Sequence, residues 1–277
     1  MPELPEVETV VRELGPRLRG RRLKAITVSR YPLRKPWLKE WDRLLRGRRV
    51  ANIRRRGKWI IVDLDHEAHL VIHLGMTGQL TVKSTLDPLG THTHLVFVLD
   101  KGRHELRFRD IRRFGSASVF ASRQSLERFF LEVELGPEPF DLAAGYWKAQ
   151  LARTSRCLKA VLLDQRVVAG VGNIYADESL FQARLHPAQP GRATTPEQAA
   201  RLRRGIILVL NRAIKRRGSS IRDYIGGSGR QGEYQKEFRV YGRTGEPCPR
   251  CGAPITGIRL AGRSTHFCPQ CQRLDES

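Results

Sequence analysis

Four cysteines near the C-terminal end constrain the fold of this chain more strongly than any other feature. Cys248 and Cys251 form one C-x-x-C pair, and Cys268 and Cys271 form a second pair after 16 intervening residues. Two pairs at this spacing are typical of a four-cysteine zinc site, whereas disulfides are not expected in a basic chain without a secretory signal. We predict one structural zinc ion, because four thiolates leave no open coordination position for a reacting water.

The segment that contains these cysteines, residues 237–277, is too short to fold around a hydrophobic core of its own. Metal binding would supply the missing folding free energy. The stretch 255–267 between the two pairs is long enough for a β-hairpin, and it carries Arg263 and His266. A zinc-bound hairpin with exposed arginines can bind nucleic acid, but zinc ribbons also occur in transcription factors, so the motif alone leaves the function open.

The charge of the chain points to a polyanionic partner. Lys and Arg total 50 against 28 Asp and Glu, a formal net charge of +22, and 40% hydrophobic residues indicate a globular protein. Nucleic acid is the simplest partner, although a ribosomal or merely basic protein fits the charge as well. No apolar run reaches the roughly 18 residues of a membrane span, and no signal peptide is evident, so we expect a cytoplasmic protein without membrane contacts.

Hydrophobic periodicity divides the chain into a β-rich part and a helical part. An apolar stripe predicts a helix over residues 3–18. Short β-rich runs then predict a sandwich or barrel. These runs are residues 23–30, 50–65, 69–74, 78–83, 94–100, 104–109 and 116–121.

From Gly136 onward the apolar spacing becomes helical. Thr195 and Gln198 form a capping box before a long helix, and Cys157 falls on an apolar helical pattern that places it in the core. We therefore predict an α+β protein of several domains. These are a β-sandwich with a flanking helix over 1–135, a helical domain over 136–236 and a zinc-finger hairpin over 237–277.

The N-terminus, Met1-Pro2-Glu3, carries a possible nucleophile. Removal of Met1 would leave Pro2 as a free secondary amine, and an α-amino group of pKa about 7.7–8.0 is roughly 10–15% neutral at pH 7. Such an amine can attack a sugar C1′ carbon and form an iminium that stays positively charged, with Glu3 beside it as acid or base. The alternative is an ordinary N-terminal residue followed by acidic residues that start a helix, and these residues alone favour that alternative.

Six motifs occur in the same order as in a known enzyme family. The chain resembles the formamidopyrimidine-DNA glycosylases, also called 8-oxoguanine DNA glycosylases, over nearly its whole length. The motifs are MPELPEVET (1–9), RGKW (56–59), HLGMTG (73–78), RRFG (112–115), AGVGNIYADE (169–178) and YGR (241–243), followed by the four cysteines.

This resemblance implies a function and a set of catalytic residues. The family excises oxidised purines from duplex DNA and cleaves the strand by β,δ-elimination in base-excision repair, with a zinc ion and no redox cofactor. Pro2 matches the Schiff-base nucleophile and Glu3 the adjacent acid or base. Lys58 matches an assisting lysine, although in a basic strand next to Trp59 it could simply contact phosphate. Arg263 matches the arginine of the zinc hairpin. By analogy the protein is a monomer that associates with the bacterial nucleoid through damaged double-stranded DNA.

The resemblance also implies a set of DNA contacts. The segment with Asn173 matches the helix–two-turn–helix of the family, and the glycine turn before it predicts Asn173 as the N-cap of a helix over 174–185. The segment 219–240 matches a loop that covers the everted base. Four residues match side chains that fill the void in the duplex or contact DNA, although the residues alone favour the core for Met76 and Phe114. These four are Met76, Arg112, Phe114 and His92.

Two departures and three alternatives accompany this assignment. Ile111 and Thr93 stand where the family often has proline and aspartate. The same scaffold occurs in the endonuclease eight-type glycosylases, which excise oxidised pyrimidines, and the Leu4-Pro5 opening favours the purine branch. A DNA-binding relative without catalytic activity is a second alternative. A ribosomal or transcription zinc-ribbon protein is a third, and it would show no preference for lesions.

Overall fold

The structure is a computed structural model that describes residues 1–100, 102–220 and 224–274. Its contacts group into two compact units. Unit 1 comprises residues 1–133 and 216–233, and unit 2 comprises residues 134–215 and those from 234 onward. Within the predicted loop 219–240, residues 221–223 lie outside the described residues.

Unit 1 contains two four-stranded antiparallel sheets that enclose one core. The first has the strand order β1-β6-β7-β5 and the second β2-β3-β4-β8. Alternate residues of both sheets meet in a single hydrophobic cluster, which confirms the predicted sandwich. The strands are β1 (Leu23–Val28), β2 (Val50–Arg56), β3 (Trp59–Leu64), β4 (His69–His73), β5 (Gly78–Ser84), β6 (Thr93–Leu99), β7 (His104–Asp110) and β8 (Ser116–Phe120).

One predicted β-run, 50–65, is a hairpin of two strands. Arg56 pairs with Trp59, which leaves a two-residue turn of Gly57 and Lys58. Gly57 has a φ of 56°, a conformation that favours glycine. Lys58 therefore lies in a turn and not within a basic strand. The prediction missed this reversal of the chain because the β-rich pattern continues on both sides of Gly57.

The described residues of unit 1 also form three α-helices: α1 (Leu4–Leu18), α2 (Lys39–Leu45) and α3 (Arg123–Glu132). The predicted helix is α1, and its apolar stripe enters the core of the sandwich. The sequence analysis did not predict α3. It covers the outer face of the second sheet, where Leu126 packs with Ile61 and Val71. Both faces of β3 and β4 are therefore buried.

The described residues of unit 2 form four α-helices and one β-hairpin. The helices are α4 (Ala144–Ala152), α5 (Leu158–Leu163), α6 (Asn173–Ala183) and α7 (Pro196–Lys215), and the hairpin is β9 (Thr256–Leu260) with β10 (Arg263–Phe267).

The start of α7 agrees with the sequence prediction, whereas the position of Cys157 differs from it. The capping box of α7 is confirmed, since the Thr195 N–H donates to Gln198 Oε1 at 3.0 Å and the Gln198 N–H donates to Thr195 Oγ1 at 3.3 Å. Cys157 is half-buried at the start of α5 instead of lying deep in the core. None of the helices in the described part of the chain has the length and apolar character needed to cross a membrane.

Candidate functional site

The N-terminal segment of unit 1 is buried directly before α1. Pro2 is buried, Glu3 and Glu6 are each only 2% exposed, and Met1 is exposed. The Glu3 N–H donates to Glu6 Oε2 at 2.8 Å, which fixes the chain next to Pro2. The Pro2 nitrogen is an amide while Met1 is attached, and only removal of Met1 would convert it to a basic secondary amine.

Glu6 also joins this segment to residues far along the chain. Its Oε1 accepts hydrogen bonds from the Ser219 N–H at 2.7 Å and the Ser219 hydroxyl at 3.2 Å. Gly218 has a φ of 73°, and a Cβ at this position would lie 2.6 Å from Glu6 Oε1. The Tyr224 hydroxyl donates to the Glu6 carbonyl at 3.0 Å. One buried carboxylate therefore holds both the backbone next to Pro2 and the start of the predicted loop.

A second carboxylate of α1 binds the same loop further along. Glu13 Oε2 accepts hydrogen bonds from the Ser228 N–H and hydroxyl, both at 2.8 Å. Glu6 is one of the acidic residues that were expected only to start a helix, and no role was predicted for Glu13. The spacing of the two carboxylates indicates that they lie on the buried face of the helix. Glu6 and Glu13 are seven residues apart and share a face of α1 with Val10 and Leu14. Carboxylates on a buried helix face require partners.

Lys58 lies close enough to His73 to affect its ionisation. Burial, together with the positive charges of Lys58 and Arg34, lowers the pKa of His73 to about 4. His73 Nδ1 accepts the Gly75 N–H at 3.0 Å, and its ring packs at 4.7 Å from that of Trp59. His73 is therefore neutral at physiological pH and adds no positive charge next to Lys58. The sequence analysis gave His73 no separate role, although it opens the HLGMTG motif.

The turns with Met76 and Arg112 are tied together by a fully buried aspartate, Asp110. The Thr77 hydroxyl donates to Asp110 Oδ1 at 2.5 Å and accepts the Arg112 N–H at 3.1 Å. The Asp110 N–H in turn donates to the carbonyl of His92 at 2.9 Å. Asp110 therefore connects the backbone around three of the predicted DNA contacts, and sequence reasoning did not identify it.

The side chain of Phe114 lies at the surface rather than in the core. It is 46% exposed, and the Arg112 guanidinium carbon is 4.6 Å from the centre of its ring. Met76 is half-buried and His92 is exposed. The arrangement leaves an aromatic ring and a guanidinium available for contact with another molecule, whereas a core role for Phe114 does not fit its exposure.

In unit 2 the N-terminal residue of α6 differs from its predicted position. Gly172 is the N-cap and Asn173 is the first helical residue, so the prediction of Asn173 as N-cap is wrong. The extended backbone of Gly172 ends the glycine turn one residue earlier than predicted, so the helix already begins at Asn173. The Asn173 side-chain amide donates to the Ser264 carbonyl at 3.0 Å, which joins α6 to the strand that carries Arg263.

A buried ion pair strengthens the connection between α6 and the hairpin. Lys159 and Asp177 are 0% and 1% exposed, and they form a direct ion pair. Lys159 Nζ also donates to the Asn173 carbonyl at 3.0 Å. Asp177 Oδ2 accepts the His266 N–H at 2.9 Å and lies 3.1 Å from His266 Nδ1. Arg263 is exposed on the same strand as His266, so this network determines where its backbone lies.

Substitution of Asp177 with asparagine tests the importance of this network. We expect the free energy of unfolding to fall by roughly 3 kcal/mol, because Lys159 would keep a buried charge without its ionised partner. Equilibrium denaturation would measure the change. The matched control is Glu127→Gln, which breaks an exposed pair with Arg123 and should cost less than about 0.5 kcal/mol. Equal costs for the two variants would contradict the assignment.

The four cysteines have the arrangement of a zinc site. Their Sγ atoms all lie within 4.8 Å of one another. The Cys248–Cys271 and Cys251–Cys268 Sγ separations are 3.9 and 3.5 Å. Zn–S bonds of about 2.3 Å in a tetrahedron require Sγ separations of about 3.8 Å. The donor set therefore fits one structural zinc ion.

Three family descriptions match the chain in sequence order. Residues 1–117 match the formamidopyrimidine-DNA glycosylase N-terminal domain, residues 135–224 match the H2TH domain of the same glycosylase, and residues 245–274 match a zinc finger found in FPG and IleRS.

Curated relatives and solved structures agree with these matches. The chain is 47% identical to the formamidopyrimidine-DNA glycosylase of Chloroflexus aurantiacus over 98% of both chains. It is 50% identical to that of Moorella thermoacetica, over 94% of this chain and 95% of the relative. A Lactococcus lactis FPG mutant in complex with Fapy-dG-containing DNA is 37% identical, with a TM-score of 0.92 over 99% of this chain and 100% of that chain.

Proposed function

Because the chain belongs to the formamidopyrimidine-DNA glycosylase family, we propose that it excises oxidised purines from duplex DNA and then cleaves the strand, with Pro2 as the nucleophile. It is a base-excision repair glycosylase that binds DNA and has a zinc-finger domain. The observation that carries the assignment of Pro2 is its burial beside Glu3 at the start of α1. The Glu6 carboxylate accepts the Glu3 N–H at 2.8 Å and so fixes the backbone next to Pro2.

The proposed reaction begins with extrusion of the damaged base from the duplex. The neutral Pro2 nitrogen forms a bond to C1′ while the bond from C1′ to the base breaks and the base leaves with the bonding electrons. The proton of the Pro2 nitrogen is then transferred to the departing base, which leaves as a neutral molecule. Opening of the sugar ring then gives an iminium at C1′, and the ring oxygen takes a proton from Glu3 as general acid. Because proline is a secondary amine, the iminium cannot lose a proton from nitrogen and stays positively charged.

The positive iminium then drives strand cleavage. It lowers the barrier to removal of the C2′ proton, for which the Glu3 carboxylate is the base, and the C3′–O bond breaks to release a phosphate. A second elimination breaks the C5′–O bond and leaves a gap of one nucleotide. We assign Lys58 to stabilising the developing phosphate charge. Arg263 binds the phosphates that flank the lesion and assists the second elimination.

The remaining predicted residues are proposed to hold the DNA. Met76, Arg112 and Phe114 would fill the void left by the extruded base, and the exposed ring of Phe114 under the Arg112 guanidinium supports this role. His92 and Asn173 would contact the backbone. We also propose three functional divisions, catalytic (1–135), DNA-binding (136–236) and zinc-finger (237–277), in a cytoplasmic, nucleoid-associated monomer.

A panel of duplexes tests the choice of substrate. Each duplex would carry 8-oxoguanine, a formamidopyrimidine, an oxidised pyrimidine or no lesion, and excision would be followed under single-turnover conditions. We expect the two purine lesions to react at least about tenfold faster than the pyrimidine, a difference of roughly 1.4 kcal/mol in activation free energy. Preferential excision of the pyrimidine would place the chain in the endonuclease eight-type branch. Absence of any excision by protein lacking Met1 would indicate an inactive DNA-binding relative.

A further inference from the structure

A second basic surface lies at the C-terminal end of α1. The sequence Arg-Gly-Arg-Arg occurs twice, at residues 19–22 and 46–49, each time directly after a buried leucine. The glycines have φ values of 82° and 80°, so both segments are turns of the same kind. We call the two segments together the paired arginine turns.

Reciprocal hydrogen bonds hold the paired arginine turns together. Arg22 and Arg49 face each other in an isolated antiparallel bridge. Arg22 donates from its guanidinium to the Gly47 carbonyl at 2.8 Å, and Arg49 donates to the Gly20 carbonyl at 3.4 Å. Each turn therefore positions one guanidinium of the other. Because these arginines are already restrained, less side-chain entropy is lost when they bind a ligand.

The paired arginine turns have a large excess of positive charge. They contain six arginines, of which Arg19, Arg22, Arg46 and Arg49 are exposed. Two aspartates accept hydrogen bonds within the cluster. Asp100 accepts from the Arg22 N–H at 2.8 Å and the Arg21 guanidinium at 2.7 Å, and Asp65 accepts from the Arg49 N–H at 3.1 Å. Six positive charges against two negative ones leave most of the guanidinium charge uncompensated.

This surface is remote from the proposed nucleophile. Pro2 precedes α1 and Arg19 follows it, and a helix of 15 residues is about 22 Å long at 1.5 Å per residue. The paired arginine turns therefore lie at the opposite end of the helix from the N-terminal amine. The chemistry proposed for Pro2 and Glu3 does not use them.

We propose that the paired arginine turns bind the phosphate backbone of a second, undamaged duplex while the enzyme is bound to DNA elsewhere. Planar guanidinium groups match phosphate oxygens in pairs, and duplex DNA is the polyanion that the enzyme already recognises. Duplex DNA also has the high linear charge density that rewards a cluster of cations through release of counterions. Such a second contact would let the enzyme pass between neighbouring DNA segments during its search for lesions.

A bridging assay tests this proposal. A duplex containing a non-cleavable abasic analogue is immobilised and saturated with enzyme, and retention of a labelled undamaged duplex is measured against salt concentration. We expect Arg22→Gln with Arg49→Gln, and separately Arg19→Gln with Arg46→Gln, to retain about tenfold less duplex. The slope of log binding against log salt should fall by about 1.8 for two lost phosphate contacts. Single-turnover excision should stay within about twofold of the wild-type rate.

A matched variant and a lipid control make the result specific. Arg123→Gln with Arg128→Gln removes the same charge from exposed positions on α3 and should leave bridging unchanged. The Arg19 and Arg46 variant breaks the Arg19 hydrogen bond to Asn52 but leaves both reciprocal hydrogen bonds intact, so it tests bridging while the two turns remain joined. Wild-type retention by both test variants, or an equal loss in the α3 control, would overturn the proposal. It would also be overturned if the variants lost binding only to anionic phospholipid vesicles.

Discussion

Replacing Pro2 with glycine is expected to lower the single-turnover rate of strand cleavage by about 10³-fold or more. A glycine terminus is a primary amine, and its imine can lose a proton and become neutral. The permanent positive charge that favours removal of the C2′ proton is then lost. Glycine also removes the ring that restrains the buried terminus next to Glu3. Gel analysis of an end-labelled 8-oxoguanine duplex measures the cleavage rate directly.

A second proline in the same helix provides the control. Pro5 is buried in the first turn of α1, and its carbonyl accepts the Thr9 hydroxyl at 2.8 Å, a bond that alanine preserves. Pro5→Ala should therefore keep cleavage within about fivefold of the wild-type rate. If Pro2→Gly cleaved at the wild-type rate, or if both variants lost activity equally, the role of Pro2 as nucleophile would be wrong.

The second large effect is expected from Cys268→Ser. The fully buried Cys268 packs with Phe181, Val240 and Ile255, so loss of one thiolate should release the zinc ion and unfold the hairpin. Because Arg263 lies on this hairpin, we expect zinc content to fall from one ion to nearly none, and affinity for lesion DNA to fall by roughly a hundredfold. Metal analysis and binding titrations at fixed salt measure the two losses.

Cys157 gives the matched control for this substitution. It is half-buried, precedes α5 and is not part of the four-cysteine cluster. Cys157→Ser should keep the full zinc content and DNA affinity. A Cys268→Ser protein that still bound one zinc ion per chain would refute the four-cysteine site.

Features set by neighbouring residues were predictable from the sequence. The zinc site follows from the spacing of the cysteines, and the start of α7 follows from Thr195 and Gln198, since both depend on short-range chemistry. The helix α1 and most strands of the sandwich follow from hydrophobic periodicity. The roles proposed for Pro2, Lys58 and Arg263 required the family resemblance, because the same residue types serve ordinary structural roles in most proteins.

Features that depend on distant partners were not predictable. Glu6 binds Ser219, which is 213 residues away along the chain, and Asp177 binds His266, which is 89 residues away. Nothing near a buried carboxylate in the sequence identifies such a partner. Phe114 illustrates the same limit, because its hydrophobicity suggests the core and only the tertiary structure places the ring at the surface. Asn173 was misplaced by one residue because the glycine turn can end at either position.

Borohydride trapping tests the central assignment most directly. Enzyme shown to lack Met1 would be mixed with a duplex that carries 8-oxoguanine opposite cytosine, reduced, and digested for peptide mass analysis. We predict a covalent adduct between the DNA and the N-terminal peptide, with the added mass on Pro2. An adduct on a lysine such as Lys58, or strand cleavage without any trapped adduct, would contradict the assignment of Pro2 as the nucleophile.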